Sequence, residues 1–172
     1  MAQVEIDLNP VDFITIGTIG PKGKRVFYLQ AGYRNQLVSM VIEKEQSWAL
    51  SEAIRELIDD LETRYETSTE VDLAKVDMEL REPIEPIFRV SQMGLGYDED
   101  QDKIVLVAQE LLVTASEEEP GLDADPMEVN PGVVRLWCSR DQMRALSMHA
   151  METVRAGRAD PKQNGRLVYY WT

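Results

Sequence analysis

The sequence predicts one α+β domain in which a unit of three strands followed by a helix occurs twice. Strand-like and helical segments follow each other in the same order in both halves of the chain. The two strand-to-helix junctions, residues 45–51 and 141–147, also align without a gap, which indicates an internal repeat. We therefore expect a single domain over residues 1–172, with repeats at about 12–64 and 87–157. Its sheet should be mostly antiparallel, with both helices packed on one side.

The first unit is predicted to be a β-meander that leads into a helix. Strands are expected over residues 13–16, 25–31 and 36–43, because β-branched and aromatic residues are bounded there by turn-forming residues. Residues 62–86 are polar, contain prolines and should connect the two units. The helix is predicted from apolar residues at spacings of three and four. They are Leu50, Ala53, Ile54, Leu57, Ile58 and Leu61.

The second unit repeats this order. Strands are expected over residues 87–93, 103–114 and 133–138, with a turn at 94–102. A helix is expected over residues 141–156.

Capping residues mark the start of the second helix. Ser139 and Gln142 have the spacing of a capping box, in which each side chain bonds the backbone of the other residue. Glu43 stands at the corresponding position before the first helix, where a negative charge suits the helix N-terminus.

Two segments are predicted to lie outside the core. The acidic loop at 115–132 contains six acids, three prolines and no base, so we expect it to be mobile. The C-terminal tail, residues 158–172, ends in an apolar run that is compatible with an added strand.

Composition limits the possible functions. The formal net charge of −13 disfavours nucleic acid and anionic membrane as partners. The sequence shows no secretory signal and no apolar run of membrane-spanning length, so we expect a cytoplasmic protein. Cys138 is the single cysteine and His149 the single histidine, which excludes an internal disulfide and a cysteine–histidine zinc site within one chain. We predict no metal and no cofactor.

The second strand suggests a binding face. If Phe27 and Leu29 point towards the helices, Tyr28 and Gln30 point to the opposite side of the sheet. Together with Arg89 they would form a binding face or a dimer interface. The competing interpretation is an ordinary solvated polar face.

Four further features have a structural and a functional interpretation. His149 is either a general base or a hydrogen-bonded histidine at the edge of the core. Cys138 is expected to be buried and inert. Residues 98–102 resemble the start of a calcium loop but lack its later glycine and glutamate, which favours an acidic hairpin turn. Residues 20–25 resemble an anion-binding loop, but they lack the spacing of a Walker motif and no helix follows them, which favours a glycine-rich hairpin turn.

Several short segments, taken in order, resemble the bacterial domain-of-unknown-function 3090 (DUF3090) family. They are Phe27–Ala31, Glu43–Gln46, Phe88–Val90, Met93–Asp98 and Ala156–Arg158. The likeness runs from about residue 12 to 165, and the family implies no assigned activity. Its members usually carry a cysteine-rich, zinc-ribbon-like knuckle after the Gly-Arg pair. Here residues 160–165 follow almost directly, with Asp160 in place of the last cysteine, so the family's zinc site is not expected.

These observations favour a non-enzymatic binding or adaptor module, whose partner is another protein or a second copy of the chain. The sequence offers no nucleophile–base pair, metal cluster or phosphate loop. The alternative is an enzyme that acts on a small substrate, phosphorylated or not, in the groove between the repeats. A deep pocket that holds His149 beside a carboxylate would favour the enzyme, and a flat exposed face would favour the module.

Overall fold

A computed structural model describes residues 4–21, 23–112 and 130–156. These residues form a seven-stranded mixed sheet and two α-helices, so the predicted α+β class is confirmed. The elements in chain order are β1 (Glu5–Leu8), β2 (Phe13–Ile19), β3 (Val26–Tyr33), β4 (Gln36–Ile42), α1 (Lys44–Tyr65), β5 (Pro86–Asp98), β6 (Lys103–Glu110), β7 (Val133–Cys138) and α2 (Arg140–Ala156). A short 3₁₀ helix, Leu73–Lys75, lies in the connection between α1 and β5.

The strands of the sheet follow the order β1-β7-β6-β5-β4-β3-β2. Strands β2 to β4 and β5 to β7 form two antiparallel meanders, which join through the parallel pair β4–β5. Strand β1 runs parallel to β7. Just beyond β1, the Val11 N–H donates to the Trp137 carbonyl at 2.9 Å, so the chain enters β2 beside the end of β7.

The helix starts are built as the sequence predicts. Ser139 Oγ accepts from the Gln142 N–H at 3.0 Å, and Gln142 Oε1 accepts from the Ser139 N–H at 2.8 Å. At α1, Gln46 Oε1 accepts from the Glu43 N–H at 2.7 Å. Both helices therefore begin with a glutamine that satisfies the backbone donor of the residue before the helix.

The same two glutamines join each helix to a strand. Gln46 Nε2 donates to the Val90 carbonyl at 3.1 Å, on β5. Gln142 Nε2 donates to the Val11 carbonyl at 3.0 Å, next to β2. Each helix start is thus held against the first strand of the other unit.

The two helices contact each other through aligned residues. Ser51 Oγ donates to the Ser147 carbonyl at 2.7 Å, and Ser147 Oγ donates to the Ser51 carbonyl at 2.8 Å. Leu50 is 3% exposed and Leu146 is 0% exposed, as equivalent positions beneath a common sheet require. A duplication accounts for this reciprocity, and the duplication itself stays a prediction.

Two parts of the fold differ from the sequence expectation. Strand β1 was not predicted. Strand β5 continues to Asp98 through Gly94 and Gly96, where a turn was expected. Both glycines lie on an exposed face of the strand, where a Cβ would meet no atom within 4 Å. The strand therefore continues through them without loss of side-chain packing. Most of the acidic loop, the tail after Ala156 and the site of the knuckle lie outside the described residues.

Candidate functional site

An apolar groove of about 620 Å³ lies between α1 and β5. Ala49, Ala53 and Leu57 line the helix side, and Met93 and Leu95 line the strand side. The groove exists because two alanines one helical turn apart carry short side chains, which leave space between the helix and the strand.

Strand β5 presents an open edge to this groove. Strand β4 pairs with β5 no further than Arg89. The Gln46 amide then bonds the carbonyls of Val90 and Ser91 at 3.1 and 3.3 Å. Over residues 92–98, β6 is the only strand of the described chain that pairs with β5. Alternate residues of an antiparallel strand direct their N–H and C=O groups away from the partner, so β5 can accept a further strand on this side.

The rim of the groove is acidic. Glu56 and Asp60 line it from α1, and both are exposed. Asp60 pairs with Arg64 at 2.8 Å, a surface contact of small energy. Glu56 forms no ion pair with any residue in the described part of the chain. The groove therefore combines an apolar floor with a negative edge.

The corresponding cleft between α2 and β2 is partly filled by His149. The repeat alignment pairs Ala53 with His149 and Leu57 with Thr153, and both of the latter line a cleft of about 520 Å³. Burial lowers the pKa of His149, while a hydrogen bond with the Ile16 backbone and the negative charge of Glu152 oppose that shift. Within the described residues, no hydrogen bond or ion pair joins the His149 side chain to a carboxylate. The arrangement that would favour a general base is therefore not found there.

The predicted binding face is only partly assembled. In the strand register Tyr28 partners Val41, and Val41 partners Arg89, so Tyr28 and Arg89 lie on the same face of the sheet. Arg89 forms a 2.6 Å ion pair with Glu43. Whether this face binds anything stays a prediction.

Gln30 was expected to be exposed on that face, and this placement is wrong. The side chain is 0% exposed because the connection between α1 and β5 crosses over it. Its Nε2 donates to Ser39 Oγ at 3.0 Å and to the Arg81 carbonyl at 2.8 Å. Its Oε1 accepts from the Arg81 N–H at 2.7 Å. Thr15 fastens the same connection by donating to the Met78 carbonyl at 2.6 Å.

The acidic segment 98–102 is a hairpin turn between β5 and β6, as the turn interpretation predicts. Asp102 Oδ1 accepts from the Tyr97 hydroxyl at 2.7 Å and from Arg140 Nε at 3.0 Å. The Tyr97 hydrogen bond is the main cause that lowers the pKa of Asp102, although burial opposes it. This network ties the hairpin to the start of α2. No group of His, Cys, Asp and Glu among the described residues could hold a metal ion.

Cys138 is fully buried, as predicted, and burial raises the pKa of its thiol to about 12. At pH 8 its thiolate fraction should be about a thousandfold below that of an exposed cysteine. We therefore expect an aromatic disulfide reagent to leave Cys138 of the native protein unmodified at pH 8. After denaturation, the absorbance of the released aromatic thiolate should correspond to one thiol per chain. Labelling of the native protein within minutes would show that the thiol is accessible.

Sequence reasoning missed the groove. It placed Ala53 on the core stripe of α1 and read Gly94 as a turn, so the open edge of β5 was not visible. The exposed state of Ala49 and Ala53 depends on where β4 stops pairing with β5. No local pattern carries that information.

Comparison with known proteins yields one match. The profile of a family described as "Protein of unknown function (DUF3090)" matches residues 6–164. No curated protein and no solved structure matches the chain significantly. Neither described α-helix has the length and apolar character needed to cross a membrane.

Proposed function

The chain belongs to the DUF3090 family, and because that family has no assigned activity, we propose from the geometry of the chain that it is a protein-binding module. Its α1–β5 groove takes up an extended segment of a partner protein as an added strand beside β5. The observation that carries the proposal is the open edge of β5 over residues 92–98, which faces an apolar groove.

Backbone pairing would supply part of the affinity. An extended segment that lies along β5 can exchange N–H···O=C bonds with the unpaired backbone groups of that edge. Side chains of a strand alternate between its two faces, so every second residue of the segment would rest on the surface formed by Ala49, Ala53 and Leu57. The remaining side chains would point to solvent. The groove thus selects an extended segment with alternating apolar residues.

Charge indicates the kind of partner. Glu56 and Asp60 border the groove, and the whole chain carries a net charge of −13. A second copy of such an acidic chain is repelled, whereas a segment with lysine or arginine is attracted. The proposed occupant is therefore a basic, extended segment of another protein, with apolar residues at alternate positions.

Selection from a displayed library of random dodecapeptides tests this proposal. We expect the enriched peptides to contain alternating apolar residues, at least one Lys or Arg, and few prolines. Ala53→Arg places a long cationic side chain in the groove and should weaken binding of a selected peptide at least about tenfold, or 1.4 kcal/mol. The matched control is Ala74→Arg, because Ala74 is also exposed but does not line the groove.

Two readouts test the location and the charge of the site, and the oligomeric state separates the possible occupants. Amide resonances of residues 92–98 should shift when a selected peptide is added, and Glu56→Lys should weaken binding most at low salt. Equal peptide affinity for the Ala53 variant and the wild type would refute the groove as the site. A wild-type dimer that Ala53→Arg converts to a monomer would show that a second copy, and not a partner protein, occupies the groove.

A further inference from the structure

A second cleft, of about 360 Å³, lies where the start of β3, the end of β4 and Arg89 of β5 meet. Three cationic residues line it, Arg25, Lys44 and Arg89, with Glu43 as the one acid. We infer that this cleft binds the phosphate group of a small organic molecule. The inference is independent of the peptide groove, because the two clefts share no lining residue.

The charge of the cleft is opposite to that of the chain. The protein has 31 acidic and 18 basic residues, yet three bases converge here on a single carboxylate. The negative charge of Glu43 neutralises the positive charge of Arg89 through their 2.6 Å ion pair. Arg25 and Lys44 form no ion pair with any other described residue, so two positive charges remain in the cleft. Like charges that share a cleft repel each other, and a bound dianion would relieve this repulsion.

Arg25 has hydrogen-bond donors without acceptors. Its Nε is shielded from solvent and has no partner among the described residues. Arg25 lies between this cleft and the cleft that holds His149, and lines both. On the His149 side its guanidinium makes one long contact of 3.5 Å, from Nη1 to the Ala156 carbonyl, and forms no ion pair with Glu79 or Glu82, which line that cleft. Buried donors in folded proteins are nearly always paired, so this atom needs an acceptor. The oxygens of a phosphate match the planar fork of a guanidinium.

The hairpin between β2 and β3 delivers Arg25 to the cleft. Its glycines have positive φ, +113° at Gly20 and +85° at Gly23, which lets the chain turn tightly before Arg25. Gly23 itself lines the cleft. Residues 20–21 and 23–25, the described part of the segment that resembles an anion-binding loop in the sequence, lie in this hairpin, and Gly23 and Arg25 also contribute to the cleft.

Apolar residues complete the wall and indicate a small organic ligand. Val26, Phe27 and Val41 line the cleft beside the cations. Its volume lies at the lower end of the range of small-molecule sites. A nucleic acid would be repelled by the rest of the chain, whose charge is strongly negative. A small phosphate monoester fits both the charge and the apolar wall.

Titration with inorganic phosphate and with phenyl phosphate, followed by amide chemical shifts at low salt, tests the inference. We expect saturable binding of both, with phenyl phosphate at least about threefold tighter because its ring contacts the apolar wall. Arg25→Gln and Arg89→Gln should each weaken binding at least about tenfold. The matched control is Arg55→Gln, which removes an exposed α1 cation that pairs with Glu52 outside the cleft.

Several results would overturn the inference. They are the absence of saturation at about 20 mM phenyl phosphate, equal affinity for both phosphates, and an Arg55 variant weakened as much as the Arg25 variant. Thermal unfolding of each variant checks that it remains folded. If Arg25→Gln unfolds, Lys44→Gln and Arg89→Gln decide the matter, because both residues lie at least partly in solvent. Unchanged affinity in those two variants would refute the site.

Discussion

Replacement of Gln30 by alanine is expected to lower the free energy of unfolding by about 2–4 kcal/mol. The Gln30 amide is fully buried and makes three hydrogen bonds, two with the backbone of Arg81 and one with Ser39. The shorter side chain would leave a cavity beneath the connection between α1 and β5. The N–H and C=O groups of Arg81, in that connection, would also lose their hydrogen-bond partners. Urea unfolding followed by far-UV circular dichroism measures the loss.

An exposed glutamine in the same sheet provides the control. Gln92 is exposed, and its amide bonds the side chain of Gln109 on the neighbouring strand. Gln92→Ala should change the free energy of unfolding by no more than about 0.5 kcal/mol. Limited proteolysis should also cut the Gln30 variant faster than the wild type within residues 77–84, because their anchor to β3 is lost. A loss below about 1 kcal/mol for Gln30→Ala would show that the amide does not hold this segment.

Elements that depend on local pattern could be predicted from the sequence. In β6 the residues Ile104, Leu106 and Ala108 are buried, which is the alternation expected for a strand. The spacing of apolar residues likewise locates α1, although the helix continues to Tyr65. The Ser139 capping box marks the start of α2 within one residue. In each case the signal and the structure lie within a few residues of each other.

Elements that depend on pairing with distant residues could not be predicted from the sequence. Strand β1 has only four residues, and it is a strand because it pairs with β7 about 128 positions further along the chain. Gln30 illustrates the same limit, since its burial depends on residues near Arg81 that have no strand or helix pattern of their own. The groove forms between α1 and β5, and the cationic cleft forms where β3, β4 and Arg89 of β5 meet. The sequence shows which residue types line the two clefts, but it does not show that these residues lie close together in the fold.

The buried side of α2 should contribute as much to stability as the Gln30 anchor. Leu146 is 0% exposed, on the face of α2 where the neighbouring Ser147 exchanges hydrogen bonds with α1. Leu146→Ala is expected to lower the free energy of unfolding by about 2–5 kcal/mol, because it removes buried methyl groups and leaves a cavity. Met148→Ala on the same helix is the control, since Met148 is 38% exposed. That change should cost no more than about 1 kcal/mol.

The aligned residue Leu50 provides a comparison for this prediction. Leu50 is nearly as buried as Leu146, but it also lines the α1–β5 groove, whereas Leu146 lines no described cleft. The space left by Leu50→Ala would therefore join the groove, where solvent or a bound peptide can enter it. The space left by Leu146→Ala would stay enclosed. Because the cost of a cavity depends on how far its surroundings can fill it, Leu146→Ala should be the more destabilising change. Equal losses in urea unfolding would mean that the groove does not reach Leu50. A loss below about 1 kcal/mol for Leu146→Ala would mean that the core around Leu146 is not tightly packed.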